Sequence, residues 1–156
     1  MQRIKVQPIS SESFIPFGNV IEEKPEKMLK INDGFTTRVD DLADLTFLEG
    51  GTAKISFFIG KPKPLKISKL ESHPLGSQAF FPIDDIEWIV AVAEEPRIDC
   101  VKVFIVKGNQ GVSYNPGIWH HQLLVLEKQK FIVIDRKGNG NNLKEIDLAT
   151  SSIIAL

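Results

Sequence analysis

Cysteine is almost absent: Cys100 is the only one in 156 residues, so no internal disulfide can form and stability must come from a buried core. Charge of one sign is missing as well. The 19 basic and 20 acidic side chains leave a net charge of -1, which removes the electrostatic argument for binding nucleic acid or an anionic membrane. No apolar run reaches the length of a membrane span, and residues 1–5 are polar with no signal-peptide core behind them, so a cytoplasmic protein is expected. Familiar catalytic motifs are scarce too. Gly108, Gly111 and Gly117 open no helix that could cradle a phosphate, no serine sits in a nucleophile elbow, and Cys100 begins an apolar stretch with no histidine near it.

Long helices are also missing. No segment offers three convincing helical turns, which excludes the crossover connections of a parallel α/β fold. What is present is a series of short period-two segments divided by Gly and Pro. Residues 53–59, 65–70, 78–81, 86–93, 100–106, 112–114, 122–126 and 131–134 read as strands. The run 86–93 is apolar on both faces and reads as central. Residues 10–17 predict a brief helical turn capped by Ser10 or Ser11 and ended by Pro16, and residues 40–48 predict a second. The expectation is an all-β antiparallel jelly-roll barrel with one or two short helical turns, formed by residues 1–156 as one domain. Lysines 61, 63, 66 and 69, with Pro62 and Pro64, are expected to protect an edge strand from pairing with other chains.

Chemistry-bearing residues gather in two places. In Glu71-Ser72-His73-Pro74-Leu75-Gly76-Ser77-Gln78, strand alternation puts Glu71 and His73 on one face, and Gln78 opens the next strand. In Asn115-Pro116-Gly117-Ile118-Trp119-His120-His121-Gln122, the adjacent histidines must point to opposite faces of a strand, so only one can line an interior. All three histidines lie beside Pro/Gly turns, where the mouth of a barrel holds small molecules. Imidazoles with a carboxylate or amide suit a divalent transition metal, and a histidine can equally act as a base near neutral pH or be a hydrogen-bonded structural residue. The loop 135–142 reads as a solvated turn or as a segment that closes Arg136 over an anionic substrate. Residues 31–34 with Arg38 read the same way, as a turn or a lid.

The stretches ESHPLGSQAFFP (71–82) and GVSYNPGIWHH (111–121) together resemble the ureidoglycolate lyase family, also called ureidoglycolate hydrolase. ESFIPFGNVIE (12–22), INDG (31–34), Asp41-Leu42-Ala43, NQGVSY (109–114) and IDR (134–136) fit the same resemblance in the same order. The resemblance implies a cupin-type fold, release of urea and glyoxylate from ureidoglycolate during allantoin degradation, and a homodimer. It implies a site of Glu71, His73, Gln78 and His120, with Glu71-x-His73 in place of the usual His-x-His. His73, Gln78 and His120 would then hold a divalent metal such as nickel. His120, His73 and Glu71 would carry the chemistry, with Tyr114 donating to a developing oxygen.

One departure stands out. Family members tend to carry an Arg where this chain has Ile59, and an Arg there could grip a substrate carboxylate bidentately. That leaves Lys61, Arg38, Arg136 or backbone N–H groups to hold the carboxylate, with Gln78 also a substrate contact. It also leaves open a binding protein without this chemistry, or a cupin enzyme for another small hydroxy or keto acid.

Overall fold

The computed structural model describes residues 2–156. Fourteen strands occur among them: β1 (Gln2–Pro8), β2 (Gly18–Ile21), β3 (Met28–Ile31), β4 (Thr36–Val39), β5 (Thr52–Gly60), β6 (Lys66–Ser72), β7 (Gln78–Pro82), β8 (Trp88–Ala93), β9 (Lys102–Val106), β10 (Gly111–Tyr114), β11 (Trp119–His120), β12 (Leu124–Val125), β13 (Gln129–Lys137) and β14 (Lys144–Ala155). One helical turn, α1 (Ser11–Phe14), follows β1. Ser10 caps it: its Oγ accepts from the Ser13 backbone N–H, and Ser13 Oγ accepts from the Ser10 N–H in return. The turn carries Phe14 into the core, with Phe17 just behind it.

The expected all-β barrel is present, and its strands divide between two cores. Strands β11-β6-β14-β1-β9-β8 form a ring, closed because β11 pairs with β6 on one side and β8 on the other. The ring encloses Ile67, Leu70, Ile89, Ala91, Ala93, Val103 and Ile154. A second sheet, β2-β10-β7-β13-β5, packs against the outside of the β8–β9 wall. Phe14, Phe80, Val90, Val92, Phe104, Tyr114, Phe131 and Val133 fill the space between. The β8 wall therefore meets a core on each face, and all six of its residues are buried. That is the physical reason its sequence is apolar without alternation.

Several expectations need correction. Residues 40–48 form no helical turn. Asp41 has a left-handed backbone (φ 54°), and the segment runs beside the turn after β6: Phe47 bridges Gly76, and Thr46 exchanges hydrogen bonds with Ser77. The lysine-bearing β6 is no edge strand but lies between β11 and β14; the edges of the second sheet are β2 and β5. Strands β1 and β14 escape the period-two reading because their exposed polar residues blur the pattern, yet both complete the ring. β1 runs parallel to both neighbours, with Gln2–Lys5 along β14 and Val6–Pro8 along β9. The remaining strand pairs are antiparallel. No helix among the described residues is long and apolar enough to cross a membrane.

Candidate active site

At one end of the second core the apolar filling gives way to polar side chains. β11 brings His120 opposite Val92 of β8 and opposite Glu71 of β6, on the face directed to that core. Trp119 takes the other face and packs with the ring core, so the alternation of a two-residue strand separates them. His73 lies just past the end of β6, and its ring centroid is 5.1 Å from that of His120. One ligand atom from each of Glu71, His73 and His120 falls within 4.8 Å of the others. Tyr114, at the end of β10, stacks on His120 with centroids 4.5 Å apart and planes inclined by 20°. Gln78 is the register partner of Tyr114 and lies on the same inward face.

The orientation of the imidazoles is fixed from behind. His73 Nδ1 meets the Asn142 carbonyl at 2.8 Å, and His120 Nδ1 meets the Ile118 carbonyl at 3.1 Å. A carbonyl can only accept, so both Nδ1 atoms carry a proton, and in the neutral rings both Nε2 atoms present a lone pair. Those two Nε2 atoms are buried, and neither takes a hydrogen bond from the described residues. Glu71 Oε1 stands 3.5 Å from His120 Nε2, too long for a firm hydrogen bond and close enough for charge attraction once the imidazole is protonated. Burial pushes the Glu71 carboxyl up, but His120, with His73 and His121 adding to it, outweighs that and leaves it below the ordinary carboxylate value. Glu71 is therefore a carboxylate at neutral pH. Burial, with the charge of Glu71, pushes the Tyr114 hydroxyl far above its ordinary value, so it stays protonated. Two locked imidazoles and a carboxylate with converging lone pairs are a donor set that fits a divalent transition metal.

The remaining expected residues separate. Lys61 lines an open cleft with Phe58, Lys63, Glu71 and Gln122, so it stands at the mouth of the cluster. Arg38 does not come near: it sits on the β3–β4 hairpin, a sheet of its own, paired with Asp40 at 2.7 Å. Arg136 does not close over a substrate. It is buried, donating from Nε to the Leu48 carbonyl at 2.9 Å and from Nη2 to the Asn139 carbonyl at 2.7 Å, which fastens two loops together. His121 points away from His120 and lines a groove with Lys63, Lys66 and Lys69.

Across the full chain, residues 1–155 match the family model described as ureidoglycolate lyase. The chain belongs to the ureidoglycolate lyase family. Among curated relatives it is 43% identical to the ureidoglycolate lyase of Burkholderia mallei (strain NCTC 10229), over 97% of this chain and 92% of that one. It is 40% identical to that of Pseudomonas syringae pv. syringae over 100% and 96%, and 42% identical to ureidoglycolate lyase 1 of Rhizobium meliloti over 97% and 92%. Among solved structures, Bacillus subtilis oxalate decarboxylase aligns at 10% identity with a TM-score of 0.40, covering 78% of this chain and 35% of that one.

Ile59 stands at the rim of the cleft that Glu71, Lys61 and Lys63 line. Phe58 packs inward on Phe80, so alternation places residue 59 on the outer face with Ile55 and Phe57. Two mouth or wall residues escaped the sequence reading. Lys63 is half-buried beside Glu71; burial lowers its ammonium from the ordinary value, and Glu71 opposes that. Asp135 follows Phe131 and Val133 at period two, which puts an acid on the inward face of β13. That alternation was visible in the sequence and is the signal that could have found it.

Proposed function

We infer that the chain is a ureidoglycolate lyase, splitting the carbinolamide into glyoxylate and urea. The observation that carries this is the pair of buried, unpaired Nε2 lone pairs on His73 and His120, held beside an ionised Glu71. The substrate carbon bears a hydroxyl, a carboxylate and a urea nitrogen. Its cleavage requires loss of the hydroxyl proton as the C=O forms, departure of the C–N electron pair to nitrogen, and protonation of that nitrogen. His120 Nε2 takes the hydroxyl proton; Glu71, across 3.5 Å, stabilises the imidazolium, which returns the proton to the departing nitrogen. Glu71 thus orients and stabilises, since its low affinity for protons makes it a poor donor. Tyr114 keeps its proton and donates to the developing carbonyl oxygen. Lys61 and Lys63 at the mouth attract the carboxylate.

In place of that proton transfer, Glu71, His73 and His120 would hold a divalent metal, nickel or a similar ion, through the same Nε2 lone pairs, with His120 then a ligand rather than the base and Gln78 on the facing sheet. Such an ion supplies Lewis acidity toward the hydroxyl and an anchor for the carboxylate. The buried lone pairs, and the Asn142 and Ile118 carbonyls that hold the Nδ1 side of each ring, support this assignment.

The experiment is to incubate the purified chain with racemic ureidoglycolate and follow urea and glyoxylate. It is run after chelation and with added nickel, manganese or zinc. Release above the spontaneous rate in at least one condition is expected; none in any condition removes the reading.

We also infer that residues 1–156 act as one cytoplasmic domain that pairs with a second copy. Its outer β5 face exposes Ile55 (74%), Phe57 (70%) and Ile59 (58%), continued by Ile132 of β13 and Phe81 of β7. A stable interface buries about 800 Å² per partner. This sheet face supplies the contiguous apolar residues that such an interface would bury.

A further inference from the structure

Glu71 and His120 lie on the ring strands β6 and β11 with His73 just past β6, and a second polar pair stands on the other sheet. Gln78 opens β7 and Asp135 lies near the end of the adjacent β13, where Ala79 pairs with Ile134. Gln78 precedes Phe80 and Asp135 follows Val133 at period two, and both of those residues belong to the inner core. The pair is therefore inward. Gln78 Nε2 donates to Asp135 Oδ2 at 3.2 Å. A carboxylate has no proton to give, so this contact fixes the amide with Nε2 on Asp135 and Oε1 turned away. Gln78 is 6% exposed, and its Oε1 and the Asp135 Oδ1 are both buried without a hydrogen-bond donor among the described residues. Lys54, the register partner of Asp135 on β5, is exposed and makes no ion pair with it.

Buried acceptors without donors are costly, and two of them on a hydrogen-bonded pair of side chains define what they would bind. A carboxylate or carbonyl oxygen placed there would be repelled. A planar –NH2 offers two N–H groups and matches the pair. We propose that Gln78 Oε1 and Asp135 Oδ1 together accept from the terminal ureido nitrogen of the substrate. This holds the urea end against the five-stranded sheet and turns the carbinol carbon toward His120. The inference rests on the lyase reading and adds the substrate's orientation to it. It also makes Gln78 a substrate contact rather than a metal ligand.

The test compares wild type, Asp135→Asn and Gln78→Met on two substrates, ureidoglycolate and its terminal N-methyl analogue. Glyoxylate and oxalate, which lack the ureido group, serve as competitive inhibitors. Asp135→Asn is isosteric but turns an N–H toward the substrate N–H. The KM for ureidoglycolate should rise about tenfold or more, since a site built to accept a hydrogen bond discriminates strongly. The wild-type preference for the unmethylated substrate should shrink in both variants, while the inhibition constants of glyoxylate and oxalate move less than about twofold. An unchanged preference, or inhibitor affinities that fall in parallel with KM, overturns the proposal. Gln78→Met decides the matter alone if circular dichroism finds Asp135→Asn unfolded. Wild-type inactivity would overturn the lyase reading together with this one; wild-type activity with an unchanged preference would overturn this one only.

Discussion

His120 and His121 are adjacent in the chain and opposite in chemistry. His120 is 3% exposed, stacked on Tyr114 and facing Glu71; His121 bonds its Nδ1 to the Gln122 carbonyl and faces the lysines. His120→Ala should lower kcat for urea release by about 10²–10⁴-fold, the range of a lost acid–base group, whereas His121→Ala should stay within about threefold. Equal losses in the two variants would remove His120 from its assigned role. His121 has a separate signature. Burial, aided by Lys63, lowers its imidazole below the ordinary 6.5, against the pull of Glu71. In the window from 6.5 down to the lowered value the unfolded chain binds a proton that the folded chain refuses. Stability is thus full above 6.5 and falls as the pH drops through that window. His121→Asn should flatten that part of the curve, as read from urea midpoints between about pH 5 and 7.5.

At the scale of elements, the turn from β6 to β7 does the positioning. His73, at its start, is held by the Asn142 carbonyl, and the Asn142 side chain accepts from the Leu75 N–H at 2.7 Å. Gly76 in the same turn lies against Arg136, and a Cβ there would stand 2.8 Å from the Arg136 Cβ. Backbone-to-backbone closeness of that kind leaves no flexible end to swing aside. Gly76→Ala should therefore cost about 1–3 kcal/mol in chemical denaturation, as overpacking does. Because Arg136 also holds the 48–49 carbonyls, loosening this turn disturbs the frame behind His73 before it touches any catalytic group. Arg136 read as a substrate anchor in sequence because a loop arginine beside glycines has that profile. Its actual partners, the Leu48 and Asn139 carbonyls, carry no side-chain signal at all.

For the whole molecule, the two-core layout accounts for both the site and the surface. The inner core ends where β6, β7, β10, β11 and β13 all present polar residues, while the outer side of β5 stays apolar up to the free edge. An apolar edge left open invites strand pairing with other chains, and the pairing inferred above would cover it. Phe57→Asp should shift the chain to monomers in light scattering coupled to size exclusion. A wild-type chain that is monomeric at micromolar concentration would dispose of the interface. The variant should keep its helical turn and strands by circular dichroism, because residue 57 contributes nothing to either core.

Sequence by itself determined the β class, the central place of the 86–93 run, the short helical turn near Ser10 and Ser11 and the split of His120 from His121. Each depends on local periodicity or on one turn of chain, and those are written residue by residue. The family was legible too, since two motifs carry side chains that no packing argument requires. Only tertiary structure decided that the ring closes through the two-residue β11, which is too short to have a period. It alone brought Glu71, His73 and His120 together across more than forty residues of chain, locked both Nδ1 atoms on backbone carbonyls, and assigned Arg136 to fastening loops. Those depend on which strands become neighbours, and that is settled by burying two cores at once rather than by any single segment.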